Sequence, residues 1–211
     1  MIGETEFVFG RLVTYKDLRL LVGQYQSALR AAGVQEGDRV AALVPNCIES
    51  VIFMLATASL GAIWSAASTD FGVVGVLDRF KQIEPKVLVS VDSVIYNGKN
   101  HNNMEKLKAV SQGLPSLAKV VVFPHVGIPE NIASVKNAVL LSDFLTGHYL
   151  QEPVFAQVTF DHPLVILFSS GTTGNTHLTI IYDIRCAKMY MSFRWWHTNP
   201  ASQGAHYSWK H

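Results

Sequence analysis

The sequence predicts an α/β protein, a parallel sheet covered by helices on both faces. Three observations carry this. Strand-like runs alternate with longer helical stretches along the chain, the arrangement of consecutive βαβ units. The strands, Arg39–Val44 and Val87–Val91 for example, are continuous apolar runs and not alternating ones, as expected when both faces of a sheet are buried. The composition, 49% hydrophobic and 16% charged over 211 residues, suits a domain with a sizeable core.

The elements follow in order. Glu6–Phe9 and Leu12–Thr14 flank Gly10-Arg11, which predicts a short hairpin. Thr14 is placed to cap a helix, with Asp17 three residues on. In that helix Tyr15, Leu18, Leu21, Val22, Tyr25, Ala28, Leu29 and Ala32 recur at spacings of three and four, one apolar face, and Gly33 ends it. After the turn Val34–Asp38, Arg39–Val44 is a strand stopped by Pro45-Asn46. A second helix runs over about 47–60, and Ala62–Ser65 is strand-like. A third helix covers about 73–83, ahead of Pro85, and Val87–Val91 is the next strand. Met104–Val110 is helical, Lys119–Phe123 is a strand ended by Pro124, and Ser142 caps a short helix through Leu145. Leu164–Phe168 is a buried strand. Beyond residue 174, Ile180–Tyr182 reads as one strand and the rest as irregular.

Charge and cysteine usage exclude several classes. A formal net charge of +1 gives no reason to expect a nucleic-acid partner. Cys47 and Cys186 form no CxxC and no metal-ligand spacing, as in a reduced, cytosolic protein. Glu4, Glu6 and Arg11 fall where a signal peptide would need an apolar core. Ser50–Thr69 is an uncharged stretch of twenty residues, long enough to span a bilayer. Six of them are serine or threonine and Gly61 interrupts the run, so a buried helix turning into a buried strand explains the same letters. No membrane span is expected.

The stretch that carries chemistry is Ser169-Ser170-Gly171-Thr172-Thr173-Gly174, directly after the strand Leu164–Phe168. Glycine lets the backbone approach a ligand closely. Successive N–H groups in such a turn can form an anion-binding nest, and the hydroxyls add donors of adjustable direction. A polar turn after a strand would look similar. The loop is not a Walker A motif, because no Gly-Lys-Ser/Thr follows. In a parallel sheet it would lie beyond a strand's carboxyl end, where such folds bind ligands.

The order Phe168-Ser169-Ser170-Gly171-Thr172-Thr173-Gly174 resembles the phosphate-binding loop of the adenylate-forming enzymes, which include acyl-CoA synthetases, luciferases and peptide-synthetase adenylation domains. The resemblance runs from about Val13 to Gly174. Gly37–Ala41 followed by Pro45-Asn46 is similar to the opening of many acyl-CoA synthetases. Gly61–Ser65, Asp70-Phe71-Gly72, Asp78-Arg79-Phe80, Tyr96–Lys99, His101-Asn102 and Met104–Leu107 resemble the acetoacetyl-CoA synthetase branch. The resemblance implies a large α/β region followed by a small mobile domain, of which this chain would supply only the first, N-terminal part. It implies activation of a carboxylate by ATP and Mg²⁺ to an acyl-adenylate, then displacement of AMP by coenzyme A. For this branch the acid would be acetoacetate, on a cytosolic route from ketone bodies to lipid synthesis. Ser169, Ser170, Gly171, Thr172, Thr173 and Gly174 would face the β and γ phosphates; no catalytic residue and no metal ligand is carried over.

Departures begin at Gly174. Asn175-Thr176-His177 stands where the family loop continues through Pro to Lys. No ribose-binding motif and no final-domain lysine follows. Residues 1–174 are therefore read as a partial AMP-binding domain and 175–211 as a divergent, poorly ordered tail. That tail holds His177, His197, His206 and His211 with Trp195, Trp196 and Trp209, but the spacings match no zinc site. Two function classes fit: a synthetase-like chain with an incomplete site, resembling the acetoacetate branch or another short-chain acyl-CoA synthetase, or a non-catalytic nucleotide-binding or regulatory product.

Overall fold

The computed structural model describes residues 12–127, 132–170 and 176–181. In chain order it contains α1 (Tyr15–Ala31), β1 (Arg39–Leu43), α2 (Ile48–Ser59), β2 (Ile63–Ala67), α3 (Val73–Ile83), β3 (Val87–Val91), β4 (Ser93–Tyr96), β5 (Lys99–Asn102), α4 (Met104–Gln112), β6 (Lys119–Phe123), β7 (Ala138–Leu140), α5 (Leu141–Phe144), β8 (Val165–Ser170) and β9 (Thr176–Ile181). The main sheet has the order β7-β6-β3-β1-β2-β8-β9. Six of these strands run parallel, and β9 alone is antiparallel, beside β8.

The apolar runs sort themselves across the sheet. Val40 and Ala42 of β1, Val87 and Val89 of β3 and Val121 of β6 pack under α1 and α2. Their neighbours Ala41, Leu43, Leu88, Val120 and Val122 pack under α3 and α4. Successive strand residues point to opposite faces, so a two-sided core needs apolar side chains at every position. Chain direction decides which helix covers which face. From β1 the chain steps to β2 through α2; from β2 it returns across β1 to β3 through α3. Right-handed crossovers in opposite directions place their helices on opposite faces.

Local signals explain the element ends. The Thr14 hydroxyl accepts from the Asp17 amide at 3.1 Å, and α1 starts there. Gly33, at φ +86°, ends it, with the Val34 amide donating to the Leu29 carbonyl, a glycine-terminated helix. Gly61, at φ +69°, turns the chain from α2 into β2. The uncharged stretch 50–69 is thus a helix and a core strand, and no helix among the described residues is long and apolar enough to cross a membrane.

Three local expectations need correction. Residues 12–14 are not a strand; Thr14 is extended only as a helix cap, and the other half of the expected hairpin, 6–9, lies outside the described residues. Ser142 lies inside α5, whose N-cap is Leu140; Leu140 ends β7 and passes directly into the helix, leaving no capping turn. The strand expected at 180–182 begins earlier, at Thr176. β9 pairs with β8 from Ser170↔Thr176 to Val165↔Ile181, so this hairpin covers the free edge that β8 would otherwise expose.

Candidate functional site

The carboxyl ends of the parallel strands open onto one rim, where the described turns after β1, β2, β3 and β6 lie. Ser169 and Ser170 are the last residues of β8. Gly171, Thr172, Thr173 and Gly174 come next in sequence and lie outside the described residues. Thr176 and His177 belong to β9, opposite Ser170 and Ser169. β8 is held to β2 by the pairs Trp64↔Val165 and Ser65↔Ile166, and the buried Ser65 hydroxyl donates to the Ile166 carbonyl at 2.9 Å. The anchorage lies at the start of β8, so its last residues extend past β2 towards the rim.

After β2 the chain makes a polar turn. The Ser68 hydroxyl donates to Asp70 at 3.0 Å and accepts from the Asp70 amide at 3.3 Å. Lys106 Nζ of α4 donates to the Thr69 carbonyl at 2.6 Å. Burial lowers the Lys106 pKa, and the Asp70 charge opposes that shift. The Arg79 guanidinium sits 4.1 Å from the Phe71 ring centroid, within cation–π range, and donates to the Gly75 carbonyl at 2.7 Å. Two stretches behind the resemblance, 70–72 and 78–80, therefore brace each other at the start of α3.

After β3 comes an arrangement with no advance signal in the sequence. Asp92 is buried, and its carboxylate accepts from the His125 amide at 2.6 Å, the Gly127 amide at 3.1 Å and the Ser93 hydroxyl at 2.9 Å. One side chain thus ties the turn after β6 to the start of β4. The hairpin β4–β5 turns at Asn97-Gly98, with φ of +54° and +70°. Two successive left-handed residues make the two-residue turn that favours Asn-Gly. Asn97-Gly98 is itself a hairpin signal in the sequence.

No group of three or more His, Cys, Asp or Glu side chains among the described residues could hold a metal ion. Cys47, the N-cap of α2, is a half-buried free thiol. Burial pushes its pKa up to about 11, which suits packing and not nucleophilic chemistry. On the α1–α2 layer an apolar groove of about 490 Å³ is lined by residues that include Tyr15, Leu18, Leu55 and Phe155.

Comparisons with known proteins agree with this architecture. Acetoacetyl-CoA synthetase from Gallus gallus is 54% identical over 167 residues, covering 77% of this chain and 25% of the relative. Acetoacetyl-coenzyme A synthetase from Rhizobium meliloti is 49% identical over 163 residues, again 77% of this chain and 25% of the relative. The solved acetoacetyl-CoA synthetase from Streptomyces lividans superposes with a TM-score of 0.74 at 38% identity, over 81% of this chain and 25% of that one. The chain thus spans about a quarter of the length of these relatives. The AMP-binding enzyme profile matches residues 3–197, nearly the whole sequence, and the chain belongs to that family.

Proposed function

We propose that this chain is the phosphate-loop part of an acetoacetyl-CoA synthetase-like adenylating unit, with Ser169, Ser170, Gly171, Thr172, Thr173 and Gly174 as its site for the β and γ phosphates of ATP. The observation that carries this is the likeness to acetoacetyl-CoA synthetases at about half identity over 77% of the chain. The placement of 169 and 170 at the end of a parallel strand supports it. The chemistry to be served is charge stabilisation on transferring phosphates, which preorganised N–H and O–H donors supply. Acetoacetate as the acid, coenzyme A as the acceptor and a cytosolic location belong to the same proposal and rest on the likeness alone. Mg²⁺ would add positive charge beside the phosphates, but no donor set for it stands among the described residues.

Binding should be weak. His177 stands where the family loop has lysine, and histidine lacks the lysine's long stem and three-donor ammonium. Loss of a charge-assisted contact, roughly 1.5–3 kcal/mol, weakens binding about tenfold or more. Calorimetric titration of the full chain with ATP or pyrophosphate tests this. A weak, saturable signal should fall further in Thr172→Ala/Thr173→Ala at unchanged thermal stability. Equal affinity in the two proteins would leave 169–174 as a polar turn. The second reading, a non-catalytic nucleotide binder, is favoured by the same missing lysine and shares this loop.

A further inference from the structure

Exposed apolar side chains gather on the α1–α2 side of the sheet. Tyr15, Tyr149 and Phe155 are 92%, 80% and 53% exposed, and Leu12, Leu150 and Val154 are exposed with them. Four of these six belong to the segment that leads to β8, which lies against α1: the Gln151 amide donates to the Leu20 carbonyl at 3.4 Å. Tyr15 and Phe155 line one groove, of about 490 Å³. Val154 and Phe155 line a second, of about 350 Å³. Charge inside the patch is balanced, because Arg19 pairs with Glu152.

We propose that this patch is the interface of a two-fold dimer, with a second copy of this chain as its occupant. Area, shape and charge each point that way. An aromatic side chain has about 150–250 Å² to bury, so the three rings leave roughly 350–550 Å² open. The three aliphatic side chains extend this towards the roughly 800 Å² that each partner buries in a stable interface. The largest apolar patch on an ordinary monomer is about 300–600 Å². Two-fold pairing is isologous: where one residue meets a second, the second also meets the first. A face that seats its own copy must therefore carry both projections and hollows. This one does, in the protruding Tyr149 ring and the two grooves. Arg19 and Glu152 of one copy meet Glu152 and Arg19 of the other without like-charge excess. A nucleic acid or an acidic peptide needs a surplus of cations, which the Arg19–Glu152 pair does not give.

Sedimentation velocity of the full chain over a range of concentrations tests the proposal. A mass of two chains is expected, falling to one on dilution. Tyr149→Ser/Phe155→Ser should weaken association about tenfold or more, as loss of aromatic anchors does. Amide exchange should place the contact. In wild type, residues 149–155 and the first turn of α1 should exchange more slowly as concentration rises, while α3 and α4, on the opposite face, stay unchanged. A wild-type chain that is monomeric at every concentration overturns the proposal. So does a dimer that the double substitution leaves equally tight, and so does an open-ended series of aggregates, which a closed pair does not form. If the double variant does not fold, Tyr149→Ser alone decides, at a side chain that folding leaves 80% exposed. Weaker association supports the dimer, and unchanged association overturns it.

Discussion

Asp92 shows how far one side chain organises the carboxyl end of the sheet. Its carboxylate gathers three amides from the turn after β6 and the Ser93 hydroxyl at the start of β4, while its own carbonyl accepts from the Asn103 amide ahead of α4 at 2.8 Å. Asp92→Ala removes the acceptor and orphans partly buried donors. A loss of about 2 kcal/mol is expected from charge-assisted hydrogen bonds, with Asp92→Asn intermediate because it keeps one oxygen. Urea unfolding of the three proteins checks the order, and equal midpoints would contradict it. Cys47 gives a prediction with a pH sign. Its thiol pKa is raised in the folded state from 9.0 to about 11, mainly by burial, so folding favours the protonated form. That contribution is complete below about pH 9 and is lost as pH climbs towards 11. Alkylation of Cys47 at pH 8, followed by mass spectrometry, should be on the order of a hundredfold slower in the folded chain than in urea, since only the thiolate reacts.

At the scale of elements, the segment from His148 to Ala156 behaves as a strap over α1. The Gln26 side chain, buried, donates to the Val154 carbonyl at 2.6 Å, accepts from the Val154 amide at 2.9 Å and donates to Ser59 of α2 at 2.7 Å. Ser27 meets His148 Nδ1 at 2.8 Å. Such closeness demands a small residue at the crossing. A Cβ on Gly23 would stand 1.9 Å from the Gln151 carbonyl oxygen. Two effects oppose each other in Gly23→Ala: alanine gains up to about 1 kcal/mol in helix propensity, while overpacking costs roughly 1–3 kcal/mol. The clash is with backbone, which cannot swing aside, so the loss should win. Thermal melting should fall by several degrees, at roughly 2–4 °C per kcal/mol for a chain of this size; a higher melting temperature would show that the strap shifts freely.

For the whole molecule, the family's chemistry depends on groups that act as a set, of which the proposed phosphate loop at 169–174 is one part. Removing members of a catalytic set can cost on the order of 10⁴–10⁶ in rate. Purified protein should therefore give no measurable acetoacetyl-CoA from acetoacetate, ATP and coenzyme A, followed as pyrophosphate release. Turnover near 1 per second, ordinary for enzymes, would mean that the missing groups have substitutes elsewhere in the chain.

Sequence alone determined the layers and most of the elements, because both depend on short-range pattern. Continuous apolar runs such as Val87–Val91 require two covered faces, and the caps at Thr14 and Gly33 act within a few residues. The proposal for 169–174 rests on information of the same short range, glycine and hydroxyl order in six consecutive residues. Tertiary structure decided what depends on distant partners. Strand order, with β1 between β2 and β3, follows from crossover handedness and from what remains to be buried, and no single window of sequence holds it. Asp92 reads as an unremarkable acid at a strand end until the turn at 125–127 brings its amides within reach. Gly23 reads as a weak point in a helix until the strap crosses it. β9 reads as three residues of strand until pairing with the edge of β8 supplies acceptors and donors for six, since an edge strand is stabilised by the ladder it joins more than by its own propensity.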